Sequence, residues 1–175
     1  MGIPSEYIVP KHTLPLLGGI LNMMHFAHRN MCAIVADLPP EALLWKPGNE
    51  MGTLAGIVAH TMYCEAYAYR RAAGEDAEFD EEDANRNTWA STDTLEQANA
   101  RIVAGDTVMK RILPEMTVER MNARFTAWGQ DSTQSGGDLI AEAAMHTTMH
   151  WGHMQMTRQL WEQAHPEFVG TYRHW

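Results

Sequence analysis

The most informative stretch of the chain is Met145-His146-Thr147-Thr148-Met149-His150-Trp151-Gly152-His153. Its three histidines stand at positions i, i+4 and i+7, a spacing that brings side chains onto one face of an α-helix. Spacings of four and three continue this face in both directions, through Leu139, Ala143, Thr157 and Leu160. The pattern is typical of a helix face that is buried against neighbouring helices.

Histidines on a buried face need a partner for each ring nitrogen, and three of them would be costly to leave without partners. A divalent metal satisfies such nitrogens directly, so His146 and His150 predict a metal site. The alternative is a core histidine bonded to a carbonyl or a carboxylate, which is the role we expect for His25 and His28 if they are not on the surface. His153 has three candidate roles: a third ligand, a hydrogen-bonding partner of a ligand, and a proton shuttle.

Strand patterns are weak and apolar residues recur at helical spacing, so the sequence predicts an all-α protein. We expect helices over Leu14 to Ala36, Leu54 to about Ala73, Ser91 or Thr92 to Leu113, and Ser135 or Asp138 to about Gln163. Prolines and glycines mark where these helices end, and Thr53 is the expected cap of the second. Four long helices without an internal repeat predict an antiparallel four-helix bundle.

Two connections between the predicted helices are long. Residues 75–83 hold seven acidic side chains. Their spacing lacks the glycine and glutamate of a calcium loop, which predicts a solvated loop. The connection from Pro114 to Gly137 is long for a compact domain, and we expect Phe125 to Trp128 to pack over one end of the helices.

Composition limits the classes of partner. The chain has 175 residues, which predicts a single domain over residues 1–175. A formal net charge of −9 argues against a nucleic-acid partner. We expect no membrane association, because no stretch reaches the length of a membrane span and Met1 to Glu6 carry neither a signal-peptide nor a myristoylation pattern. Cys32 and Cys64 form no disulfide pattern, and together these features predict a cytoplasmic protein.

A metal site built from helices draws ligands from at least two of them, and His60 is the candidate on the second helix. It lies at the edge of the apolar face, where Gly56 one turn earlier allows a close approach. Cys64 is a weaker candidate, because a lone cysteine is commonly a small buried apolar residue. Glu65 also projects toward this face, where it would orient an imidazole, move protons or pair with Arg29.

Three segments of the chain resemble the DinB/YfiT-like family of metal-dependent enzymes. They are Leu38 to Pro47, Leu54 to His60, and His146 to Gly152. The resemblance implies a four-helix bundle, commonly a homodimer, in which His60, His146 and His150 bind nickel or zinc and water completes the coordination. The family usually reads H-R-G-Q where this chain has His150-Trp151-Gly152-His153, so His153 replaces the glutamine.

Three hypotheses of function follow. Relatives implied by the resemblance include S-transferases that use low-molecular-weight thiols, so the first is transfer of such a thiol to a small electrophile. The second is metal-dependent hydrolysis of a small ester or amide, with His153 or Glu65 as the proton shuttle. The third is a stress protein that binds a metal or a small molecule without catalysis. An anionic thiol would need a basic pocket, for which Arg70, Arg71 and Arg158 are the candidates.

Overall fold

The computed structural model describes residues 12–49, 52–129 and 133–173. The described chain is mostly helical. In chain order it contains α1 (Pro15–Val35), α2 (Pro40–Leu44), α3 (Leu54–Ala72), a π-helical turn (Asp83–Asn87), α4 (Leu95–Ile112), a 3-10 turn (Leu113–Glu115), α5 (Val118–Asn122), β1 (Arg124–Thr126), β2 (Thr133–Ser135) and α6 (Gly136–Ala164). The strands β1 and β2 pair antiparallel, with Phe125 opposite Gln134. This small sheet is the exception to the predicted all-α content.

Local sequence explains where α4 and α6 begin. Each starts with a capping box. At α4 the Thr94 hydroxyl accepts from the backbone N–H of Gln97, and the Gln97 side chain accepts from the backbone N–H of Thr94. At α6 Ser135 and Asp138 make the same pair of bonds. The box at Thr94 places the start of α4 later than the predicted Ser91 or Thr92. The predicted bounds of α1, α3 and α6 agree with the structure to within one or two residues.

The four long helices pack side by side around a common core, and α1 and α3 each contact both α4 and α6. Their core has two apolar parts. The first holds the start of α1 and α6 and the end of α3 and α4, for example Leu17, Leu139, Tyr69 and Met109. The second holds the opposite ends of the same helices. Consequently α1 and α6 run in one direction and α3 and α4 in the other.

A buried polar layer separates the two apolar parts. Its members come from the middle of all four long helices, and they are His25, His28, Glu65, Asp106, Thr147 and His150. The connection from α3 to α4 has to return along the length of both helices, since these two run in the same direction. It therefore passes the level of this polar layer, where residues 83–89 meet α3.

Residues 125–128, in the connection between α4 and α6, pack against the first apolar part of the core, as predicted. Phe125 and Trp128 contact that cluster, and Ala127 is buried in it. Among the described residues, no helix combines the length and the apolar character that crossing a bilayer requires.

Candidate metal centre

Three histidines from two helices converge at the level of the polar layer. Nε2 of His146 lies 3.1 Å from Nε2 of His60 and 3.1 Å from Nε2 of His150. The ligand atoms of all three residues lie within 4.8 Å of one another. Zinc bonds nitrogen at about 2.0–2.1 Å, so two nitrogens of a tetrahedral site lie about 3.3 Å apart. The spacing of the three Nε2 atoms is compatible with one divalent metal ion.

The other ring nitrogens determine which atoms are free to ligate. Nδ1 of His60 donates to the carbonyl oxygen of Ala84 at 2.7 Å. Because a carbonyl only accepts, this bond leaves a lone pair on Nε2 of His60. Nδ1 of His150 lies 3.2 Å from Nδ1 of His153, so when Nε2 of His150 ligates a metal, the His150 proton is on Nδ1 and His153 accepts it. Nδ1 of His146 is buried and has no hydrogen-bond partner among the described residues.

All three imidazoles are held in the uncharged form. Burial lowers the pKa of His60. Burial, followed by the neighbouring His60, lowers the pKa of His146 to about 4. Burial, followed by the neighbouring imidazoles of His146, His60 and His153, lowers the pKa of His150 to about 3. Metals bind neutral imidazole, so the group is in its ligating form at neutral pH.

The crossing segment between α3 and α4 supports His60 from outside the helices. Ala84 lies in the π-helical turn, and Trp89 stacks on the His60 ring with centroids 4.4 Å apart. A Cβ atom at Gly56 would lie 2.5 Å from the carbonyl oxygen of Trp89, which confirms the predicted close approach at this glycine. These supports were absent from the sequence predictions, because Ala84 acts through its backbone and contacts a residue 24 positions away.

Two further candidates lie beside the three histidines without joining them. His153 is exposed and contacts His150 on the nitrogen that faces away from His60 and His146. The Cys64 sulfur lies 4.0 Å from Nδ1 of His60, the nitrogen already bonded to Ala84. Burial raises the pKa of the Cys64 thiol to about 12, which disfavours the thiolate that a metal would bind.

Glu65 belongs to the polar layer. Its Oε2 accepts from the Thr147 hydroxyl at 2.7 Å and lies 2.9 Å from Nε2 of His28, so its partner is a histidine and not Arg29. Nδ1 of His28 lies 3.2 Å from Oδ1 of Asp106. Burial alone lowers the pKa of His28, but the charges of Glu65 and Asp106 raise it to about 9. The layer is therefore a buried network of opposite charges, which Lys110 joins at Asp106 and which also contains His25.

Two cavities reach this group of histidines, one at His146 and the other at His150. One, of about 150 Å³, is lined by Cys64, Phe79, Trp128, Glu142, Ala143 and His146. The other, of about 330 Å³, is lined by Gly52, Ile57, Trp89, His150, His153, Met156 and Thr157. Glu142 was not predicted, although it stands one turn before His146 on α6 and so shares its face.

The prediction that Arg70, Arg71 and Arg158 form a basic pocket is wrong. Arg158 is fully buried and pairs with Asp37 at 2.7 Å and with Glu162 at 2.8 Å. Arg70 pairs with Glu75, and Arg71 donates to a backbone carbonyl of β1. None of the three lines either cavity.

Comparison with known families gives one match. The model of the DinB superfamily matches residues 23–154, about three quarters of the chain. This range includes His60, His146 and His150. No curated protein and no solved structure matches the chain.

Proposed function

The chain belongs to the DinB superfamily, and from that premise we propose that it is a metal-dependent enzyme that transfers a low-molecular-weight thiol to a small electrophile. His60, His146 and His150 are the proposed ligands of a divalent metal, nickel or zinc. The observation that carries the proposal is the convergence of the three Nε2 atoms between two cavities.

The two cavities favour transfer over hydrolysis. Thiol transfer brings together two organic reactants, whereas hydrolysis needs one reactant and water. His146 lines the smaller cavity and His150 the larger, so a reactant in either would face the same metal site. Hydrolysis of a small ester or amide is the alternative, with water in place of the thiol.

The metal, when bound, would supply a Lewis acid that favours a thiolate over a thiol at neutral pH. In the transfer, sulfur forms a bond to the electrophilic carbon, and the leaving group departs with the electron pair of the broken bond. The proton lost by the thiol needs an acceptor. We assign that role to His153, which is exposed at the larger cavity and has a ring nitrogen that can accept a proton.

Glu65 is proposed to act from the polar layer. It lines neither cavity, but its charge favours the protonated form of His146 and so opposes part of the burial effect on that imidazole. A carboxylate near a ligating histidine commonly raises the basicity of the ligand. Glu65 is therefore a positioning residue in this proposal.

Metal content is the first test. The untagged protein, incubated with nickel or zinc and then dialysed, is expected to hold about one ion per chain by elemental mass spectrometry. The double variant H146A/H150A should hold none, whereas H165A, which removes a histidine outside the site, should retain the ion. A parent protein without metal, or equal metal in the double variant, would overturn the site.

Activity is the second test, made on the loaded protein. A chromogenic aryl halide mixed with a series of thiols is expected to give a rate that depends on both the thiol and the metal. Hydrolysis of a nitrophenyl ester without thiol, and no transfer, would replace the proposal with the hydrolase. If neither transfer nor hydrolysis is observed with any of the thiols, the protein is a metal-binding protein without catalytic activity.

We propose a homodimer that forms through α1 and α6. Large apolar side chains on both helices are exposed, among them Leu16 at 68%, Phe26 at 46% and Met145 at 68%. The ring of Phe26 contacts Trp151 of α6, so the two apolar surfaces adjoin. Light scattering should give twice the chain mass for the parent and the single-chain mass for F26E. A parent that is monomeric at micromolar concentration contradicts the proposal.

A reducing compartment such as the cytoplasm is the proposed location. Cys32 and Cys64 are both buried, in helices α1 and α3, and neither is in a disulfide. Free buried thiols are typical of proteins that fold where disulfides do not form.

A further inference from the structure

We propose that the smaller cavity binds the ammonium group of a small substrate through Glu142 and the rings of Phe79 and Trp128. This inference rests on the proposed function, because the other end of such a molecule would face His146. It assigns one of the two reactants to the class of small amines that also carry a metal-binding group, such as an aminothiol.

The charge of the cavity comes from Glu142. The cavity has one carboxylate among its lining residues and neither lysine nor arginine. The Glu142 Oε2 atom accepts from the indole N–H of Trp128 at 3.1 Å and from the Gln134 amide at 3.0 Å. Within the described chain, Oε1 accepts no hydrogen bond. The carboxylate is thus fixed in place by one oxygen, while the other is free to accept from a ligand.

Two aromatic faces meet beside this carboxylate. The rings of Phe79 and Trp128 are 5.1 Å apart between centroids and nearly perpendicular, at 86°. Tyr67 supports both from behind, at 5.0 Å from Phe79 and 4.8 Å from Trp128. Aromatic faces set at right angles attract a cation, and a nearby carboxylate adds to that attraction. An anion would instead meet a like charge in a poorly solvated space.

The backbone of Trp128 supports a binding role for its ring. Its φ of 58° is an unfavourable conformation for a bulky residue. The conformation is retained because the Trp128 N–H donates to the Tyr67 hydroxyl at 3.0 Å and the indole N–H donates to both Gln134 and Glu142. Backbone strain that is held in this way clusters at ligand sites, and here its effect is to place the indole on the cavity wall.

The size of the cavity limits the ligand. A volume of about 150 Å³ equals that of a cavity that holds benzene, so about five or six non-hydrogen atoms fit. Glu142 and His146 are one helical turn apart on α6, or about 6 Å along the helix axis. A short chain with an ammonium group at one end therefore reaches from Glu142 to the metal ligand.

Butylammonium is the probe for this subsite, with butyrate and 1-butanol for comparison. Binding is measured by calorimetry and by tryptophan fluorescence on the metal-free protein, so that the result does not depend on metal or on turnover. Butylammonium is expected to bind about tenfold more tightly than either comparison molecule. E142Q should remove that preference, because the amide keeps the bond to Trp128 without the charge.

The control variant is E96Q, which removes the same charge from an exposed position on α4 and should bind butylammonium like the parent. If E142Q does not fold, F79L is measured instead, since it keeps apolar bulk but removes one aromatic face, and it should reduce the preference for butylammonium over 1-butanol. Equal binding of butyrate, or an unchanged preference in the folded variant, would overturn the ammonium subsite. Because metal content is measured separately, failure of this subsite leaves the metal site standing, and failure of the metal site leaves the amine measurement valid.

Discussion

At the scale of single residues, His150 shows how a ligand depends on its neighbour. Its Nε2 faces the other two histidines, while its Nδ1 contacts Nδ1 of the exposed His153. A proton shared between these two Nδ1 atoms holds the His150 ring in orientation and leaves Nε2 free. His153 therefore supports the proposed metal site through its contact with His150, without being a ligand itself.

Removal of His153 is expected to weaken metal binding without abolishing it. H153A should lower the affinity for zinc by about 10-fold to 100-fold, which is typical when a hydrogen-bonding partner of a ligand is lost. H153Q should retain most of the affinity, since the amide oxygen accepts the same proton. Competition with a chromophoric chelator at fixed pH measures the zinc affinity of both variants. M149A, at an exposed position on the same helix, is the control. An H153A protein with parental affinity would show that the contact has no such role.

The three candidate ligands were predictable from sequence, and their surroundings were not. Spacing on one helix identified His146 and His150, and the apolar face of α3 identified His60. The carbonyl of Ala84 and the ring of Trp89 reach His60 from a crossing segment whose path depends on tertiary structure. Local patterns carry no information about such a path, because the backbone carbonyl is the same in every residue.

At the scale of elements, α3 depends on a glycine at its contact with the crossing segment. G56A should lower the free energy of unfolding by about 1–3 kcal/mol, because the new methyl group overlaps the Trp89 carbonyl. It should also weaken metal binding, since Trp89 stacks on His60. Urea unfolding of the metal-free protein and chelator competition provide the two measurements.

The matched control for that variant is G19A. A Cβ atom at Gly19 of α1 meets nothing within 4 Å, so alanine there should be neutral or should stabilise by up to about 1 kcal/mol. Equal destabilisation by G56A and G19A would mean that the close approach at Gly56 has no energetic consequence.

The long helices were predictable because their ends are encoded locally. Caps, prolines and apolar periodicity act over a few residues, and they placed α1, α3 and α6 almost correctly. The strands β1 and β2 have three residues each, too few for a period to be visible. The acidic segment was predicted to be a solvated loop, but its last residue, Asp83, begins the π-helical turn.

At the scale of the whole molecule, two groups of histidines should give the metal-free protein a stability maximum near pH 6.5. His28 has a pKa of about 9 in the folded state and 6.5 in the unfolded state, so its contribution is complete below pH 6.5 and is lost as pH rises through 9. His146 and His150 have folded pKa values of about 4 and 3, so the unfolded state takes up more protons and stability falls as pH drops below 6.5.

Urea unfolding in the presence of a chelator, at pH 5, 6.5 and 9, measures this profile. H146A/H150A should flatten the acid side and leave the alkaline side unchanged, because the ion-pair partners of His28 are Glu65 and Asp106, which the double variant retains. Stability that rises steadily from pH 6.5 to pH 9 would contradict the charged state of His28.

The segment over residues 73–94 touches every part of the candidate site. Phe79 forms a wall of the smaller cavity, the Ala84 carbonyl fixes His60, and Trp89 forms a wall of the larger cavity. The histidines, by contrast, stand on helices whose packing is set by the core. One stretch of the chain that holds none of the three candidate ligands therefore contributes both to the walls of the two cavities and to the support of His60. A change of sequence in this segment is therefore expected to alter the shape of the cavities and the position of the His60 ring together, so that substrate preference and metal affinity would vary jointly.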